Sequence, residues 1–149
     1  MNYLRALVNN SVLQTAVIAW FIAQVIKVIT NIIKYKKLDF ERFIGAGGMP
    51  SSHSSFVTSL AISVGAEVGF DSVFFAIACC FALVTMYDAA GVRNAAGKQA
   101  RVLNQMAAQL EENGQIDFDV KLKELLGHTP LQVFMGALLG FAIAALRYF

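Results

Sequence analysis

The chain has 149 residues, of which 57% are hydrophobic and only 15% charged, with a formal charge of +2. Soluble domains carry about 25% charged residues. The apolar surplus therefore excludes an ordinary water-soluble globule and makes the lipid bilayer the natural solvent. So small a net charge gives no basis for a nucleic-acid partner.

The first ten residues are mixed in character and show no cleavable signal pattern. An apolar run over about 12–33 follows, interrupted by Gln14, Gln24, Lys27 and Asn31. It is long enough to cross roughly 30 Å of hydrocarbon. A second run, about 54–70, is short and rich in small residues. The third, 73–90, is apolar until Asp88 and contains the adjacent Cys79 and Cys80. That pair reads as small buried hydrophobes rather than a disulfide or a metal site. The fourth run, 131–149, is almost unbroken. Together these predict one membrane domain, an all-α bundle of about four transmembrane helices.

Basic residues mark the cytoplasmic side of membrane spans. Lys34, Lys36, Lys37 and Arg42 follow the first run, and Arg93, Lys98 and Arg101 follow the third. The link between the second and third carries Glu67 and Asp71 and no base. The expectation is a multi-pass plasma-membrane protein with both termini outside and both polar stretches inside, Arg5 and Arg147 being the exceptions.

The longer polar stretch, about 94–127, reads as a helical cytoplasmic insertion. Val102, Leu103, Met106, Ala107 and Leu110 recur at helical spacing, which predicts an amphipathic helix on the membrane or on its neighbours. A shorter helix is expected next, with Asp117 or Asp119 near its start, Leu125 and Leu126 inside it and Gly127 as its stop. In the last run Gly136 and Gly140 form a small-xxx-small pair that lets helix backbones approach closely. Whether the partner helix lies in this chain or in a second copy, giving a homo-oligomer through span four, is left open.

Three polar motifs carry the chemistry. In Gly45-Ala46-Gly47-Gly48-Met49-Pro50-Ser51-Ser52-His53, the glycines permit close backbone approach and the serines suit a helix start. The free N–H groups of such a start, with the helix dipole, favour an anion such as phosphate. A well-capped loop is the plainer reading, but His53 in the first helical turn adds acid–base capability. The second motif, Leu126-Gly127-His128-Thr129-Pro130, places the other histidine at a helix start. Pro130 suits the first helical position, and Thr129 with Gln132 has capping-box spacing. On the expected topology both histidines lie on one side of the membrane.

In the third motif, Met86-Tyr87-Asp88-Ala89-Ala90-Gly91-Val92-Arg93, an acid near membrane depth calls for a partner. Asp88 and Arg93 serve equally well as a structural ion pair or as histidine orienter and phosphate fork. Lys27, within the first span, reads either as a snorkelling lysine or as a phosphate contact. No cluster has metal-ligand spacing, so neither a metal nor another cofactor is expected.

In this order the three motifs resemble the divergent branch of the type 2 phosphatidic acid phosphatase superfamily, the acid phosphatase/vanadium-dependent haloperoxidase-related family. The resemblance extends from about Gln24 to Gly140. That superfamily's signature is Lys-x6-Arg-Pro, then Pro-Ser-Gly-His, then Ser-Arg-x5-His-x3-Asp. Its last histidine attacks phosphorus, oriented by the aspartate, and its middle histidine protonates the leaving oxygen. By resemblance, Pro50-Ser51-Ser52-His53 matches the middle part with Ser in place of Gly, giving His53 the general-acid role. Lys27 corresponds to the first lysine, with no Arg-Pro after it. Arg93 corresponds to the last motif's arginine and His128 to the nucleophile, with a long insertion between them. Gln132 stands where that motif has Asp, and Asp88 is the candidate substitute from another helix.

The resemblance implies a phosphatase acting on a lipid phosphate or polyprenyl (di)phosphate at the cytoplasmic leaflet. His128, His53 and Asp88 form its catalytic set, and Lys27, Gly48, Ser51, Ser52 and Arg93 hold the phosphate. Its partners are membrane lipids, including the phosphorylated substrate. The alternatives are a protein that binds such a lipid without cleaving it, supported by the missing Arg-Pro and by Gln132, and a structural membrane subunit.

Overall fold

The computed structural model describes residues 2–35, 48–113, 121, 122, 124 and 127–149. Lys36, Lys37, Arg42, the glycines at 45 and 47, and the expected helix residues Asp117, Asp119, Leu125 and Leu126 lie outside these. The described residues form helices and connecting loops, with no strand among them. The helices are α1 (Asn2–Val8), α2 (Ser11–Tyr35), α3 (Ser52–Val68), α4 (Val73–Ala90), α5 (Val92–Glu112) and α6 (Pro130–Tyr148).

Three helical stretches are long and apolar enough to cross a membrane, beginning at Ser11, Val73 and Pro130. The expected fourth span corresponds to α3, whose 17 residues extend only about 25 Å at 1.5 Å per residue. Its composition explains its place. Ser52, Ser54, Ser55, Ser59, Ser63, Val57, Ala61 and Gly65 are all buried, so α3 is the slender element that α2, α4 and α6 pack around. The bulky side chains of the other helices point outward instead, among them Phe21, Ile29, Phe74, Phe81, Phe134 and Phe141. This arrangement suits lipid, where close contact between small residues drives helix association.

On α2 the inward stripe is Ala16, Ala19, Ala23 and Lys27, spaced three and four apart and almost fully buried. Ser55 Oγ donates to the Ala19 carbonyl across this seam. The glycine pair of α6 faces α3 of the same chain. A Cβ at Gly136 would overlap the Ser51 carbonyl oxygen, and one at Gly140 that of Ser55. At the end of the bundle away from the histidines, Glu67 Oε1 accepts from Ser11 Oγ and Tyr148 Oη, and Arg147 donates to Gln14 Oε1 at 2.7 Å.

The polar stretch departs from expectation in part. α5 is helical as its periodicity requires, with Gly97 and Ala100 buried and Val102, Leu103 and Met106 exposed. Residues 121, 122 and 124, within the expected helical insertion, are not helical. The cause is Asn104 on α5, whose amide oxygen accepts from the Leu122 N–H and whose Nδ2 donates to the Leu122 carbonyl. These side-chain bonds, with Arg101 Nε to Glu124 at 3.3 Å, hold the returning chain along α5 in place of helical pairing.

Candidate functional site

The α2 C-terminal half, the α3 start, the α4–α5 junction and the α6 start meet at one end of the bundle. Main-chain hydrogen bonds make the joints. Ser51 N donates to the Gln132 carbonyl at 3.0 Å, and His128 N donates to the Ala89 carbonyl at 2.8 Å. Asn94 Nδ2 adds a bond to the His128 carbonyl at 2.8 Å. Gly127, at φ +92°, lies against the backbone of Arg93 and Asn94, where a Cβ has no room. All three sequence motifs are thus drawn together.

Each histidine is placed by its own helix start. Ser51 is the N-cap of α3, its side chain accepting from Ser54 N at 3.3 Å, and His53 falls in the first turn. Thr129 is the N-cap of α6, with Pro130 at the first position and a complete capping box to Gln132. The His53 and His128 rings approach edge to face, with centroids 6.1 Å apart and planes at 60°. His128 is only 2% exposed, and its Nε2 is buried with no well-formed hydrogen-bond partner among the described residues. An unpaired buried polar atom of this kind calls for an explanation, such as a ligand.

Positive charge from Lys27 reaches this ring. Lys27 is 2% exposed, so it does not snorkel. Its stem passes Gly48, at φ +91°, where a Cβ would lie 3.1 Å from Lys27 Cγ. Met49 is joined to Pro50 by a cis peptide bond, and its carbonyl accepts from Thr30 Oγ1 at 3.1 Å. Ser51 and Ser52 are buried, whereas His53 is open on one side. Arg93 Nε donates to Asp88 Oδ2 at 2.6 Å with both side chains substantially exposed. The Asp88 carboxylate is thus engaged by Arg93, and the side chain beside the His128 ring is a different one. His128 Nδ1 lies 3.3 Å from Gln132 Oε1. Thr30 and Asn94 were not singled out by the sequence. Asn94 follows Arg93 directly, which is the one signal that pointed to it.

Electrostatics follow from this packing. Burial, foremost, with the positive charge of Lys27 and the facing His53, pushes the His128 ring down to about 4, against the contact with Gln132. The Gly48 backbone also favours protonation of this ring, yet makes no well-formed hydrogen bond to Nε2. Partial burial lowers His53, helped by Arg93 and Lys27 and opposed by Asp88. Both rings are thus biased towards the neutral form, and an arriving anion reverses the Coulombic part of that bias.

A stability prediction follows for His128. An unfolded histidine binds a proton below about pH 6.5, whereas the folded ring resists until about 4. Stability is then full above the unfolded value and falls as pH drops from 6.5 towards 4, by on the order of 3 kcal/mol. Thermal unfolding in detergent at stepped pH should show this loss, and His128→Asn should flatten it.

A Bacillus subtilis (strain 168) protein described as "Uncharacterized membrane protein YuiD" is 44% identical over 154 aligned residues, covering 96% of this chain and 98% of the relative. No solved structure matches the chain. The Divergent PAP2 family matches residues 8–143. This span includes both histidines and every other residue of the candidate site, and the chain belongs to that family of membrane proteins.

Proposed function

We propose that the protein is a phosphatase acting on a lipid phosphate or polyprenyl (di)phosphate, working at the cytoplasmic leaflet of the plasma membrane. The observation that carries this reading is the buried Nε2 of His128, without a well-formed partner among the described residues, close to His53 and Lys27. A phosphoryl group entering there meets a nucleophile, a proton carrier and positive charge together. The position also favours a lipid. The motif loops lie where apolar helices end, so a head group reaches them while its chains stay in the bilayer.

The chemistry divides into two displacements. The Nε2 lone pair of His128 attacks phosphorus as the bond to the lipid oxygen breaks, and protonated His53 gives that oxygen its proton. Neutral His53 then takes a proton from water, whose oxygen attacks phosphorus and breaks the N–P bond. Phosphate leaves and both histidines are restored. Lys27, Arg93, the N–H groups of Gly48 and Ser52 and the Ser51 hydroxyl stabilise the charge on the phosphoryl oxygens through both steps. Arg93 keeps its terminal nitrogens available while Nε is held by Asp88.

The test is phosphate release by the detergent-solubilised protein against lipid monophosphates, polyprenyl monophosphates and polyprenyl diphosphates. Turnover on one of these classes supports the proposal and names the substrate. The same protein with Lys27→Met should lose about a hundredfold in kcat/KM, because methionine keeps the buried stem and removes only the charge. Absence of turnover on every class, with thermal stabilisation by the same lipids retained, would sink the enzyme and favour a lipid-binding protein. The neutral Gln132 beside His128 is the observation on that second side.

A further inference from the structure

A histidine that attacks through Nε2 must carry its neutral-state proton on Nδ1. Something has to select that tautomer, since which nitrogen is protonated depends on the bond the other one makes. Carboxylates do this in hydrolase triads and also stabilise the imidazolium. Here the group beside Nδ1 is the Gln132 amide, which presents either an acceptor oxygen or a donor nitrogen.

The backbone decides between them. Thr129 N–H, which can only donate, points to Gln132 Oε1 at 3.0 Å. The amide oxygen is therefore fixed on this side, and the same oxygen lies 3.3 Å from His128 Nδ1. Gln132 is itself anchored, its N–H donating to Thr129 Oγ1 at 3.3 Å and its carbonyl accepting from Ser51 N. The Gly48 backbone is the rival partner for the ring, and it makes no well-formed bond to Nε2.

We propose that Gln132 is the positioning residue of His128. Its oxygen, pinned by the Thr129 N–H, holds the proton on Nδ1 and leaves the Nε2 lone pair directed into the site. The catalytic meaning of this rests on the phosphatase reading, but the tautomer is a property of the folded protein and needs no turnover. Gln132 supplies the aligning part of a carboxylate's work without its charge. The α6 cap and the nucleophile are in consequence set by one side-chain oxygen.

The experiment is long-range proton–nitrogen NMR of the imidazoles in the full chain in detergent micelles at neutral pH. The chain has two histidines, so His53→Gln assigns the signals. His128 should be protonated on Nδ1 and unprotonated on Nε2. Gln132→Leu should shift the ring so that the Nε2–H form is the major one, while Gln132→Glu, which keeps an acceptor, should retain Nδ1–H. Thr129→Val removes the other arm of the cap and should leave Nδ1–H dominant, which separates positioning from loss of capping. An Nε2–H ring in the parent protein, or a Gln132→Leu protein that keeps Nδ1–H, would overturn the proposal. Either result can appear with or without phosphatase activity, so failure here is distinguishable from failure of the enzyme reading.

Discussion

His128→Asn is expected to reduce phosphate release by at least about a thousandfold while leaving the helices assembled. Removing a nucleophile in a concerted catalytic set costs several orders of magnitude, because the remaining groups can then only bind and polarise the phosphate. Asparagine is chosen because its side chain is polar and close in reach to the inner part of the ring. The joint itself is made by the main chain of residue 128, to Ala89 and Asn94, and those bonds survive the change. His53→Gln should cost less, about a hundredfold to ten-thousandfold, as expected for a proton carrier. Its loss should be smallest for substrates with good leaving groups, such as aryl phosphates. Circular dichroism and the thermal midpoint establish that each variant is folded. A His128→Asn protein that retains turnover within tenfold of the parent would remove His128 from the nucleophile's role.

Gly136→Ala is expected to be among the most damaging single substitutions in the chain, although it adds one methyl group. That methyl would be driven into the Ser51 carbonyl and against Ser54 Cβ. Backbone on the far side cannot rotate away as a flexible side chain can. Overpacking of this kind costs about 1–3 kcal/mol, and relief requires α3 and α6 to separate at the end that carries both histidines. The thermal midpoint should drop by several degrees, and activity should fall further than stability alone explains, since Ser51 caps the helix bearing His53. Leu138→Ala, on the outward side of the same helix, is the control and should shift the midpoint far less. Equal effects of the two would show that α6 does not pack on α3 through its glycines.

The sequence disclosed different parts of this structure to different degrees. The apolar runs of α2, α4 and α6 were legible because lipid-crossing helices need length and little else. The α3 sequence reads as short and rich in small residues, but its place at the centre of the bundle does not show in it. The reason is physical: in lipid the buried helix is the one with small, weakly polar faces, so hydropathy ranks it last. The motifs named His53, His128, Lys27, Ser51 and Ser52, and the structure places them at one end. Asp88 shows where linear reasoning stops. A carboxylate near a histidine motif invites the orienting role, yet its partner is set by α4 turning into α5, which brings Arg93 within 2.6 Å. The Thr129–Gln132 spacing revealed a cap, and the same oxygen's reach to Nδ1 became visible only in three dimensions. Residues 121, 122 and 124 escaped prediction because Asn104, far away in sequence, holds Leu122.

The two ends of the bundle are fastened by different chemistry. Away from the histidines, Ser11, Tyr148 and Glu67, with Gln14 and Arg147, are joined through side chains, so fastening there depends on residue identity. At the histidine end the Asn94 and Thr30 side chains contribute, but Ser51 to Gln132 and His128 to Ala89 are peptide-to-peptide joints. Such joints do not depend on which side chains the participating residues carry. Reactive groups can accordingly be exchanged at this end with the loops still docked, provided the glycines that admit close approach remain. The same helical frame can then host relatives with altered chemistry, and the far end is where a substitution would loosen the frame and leave the reactive groups untouched.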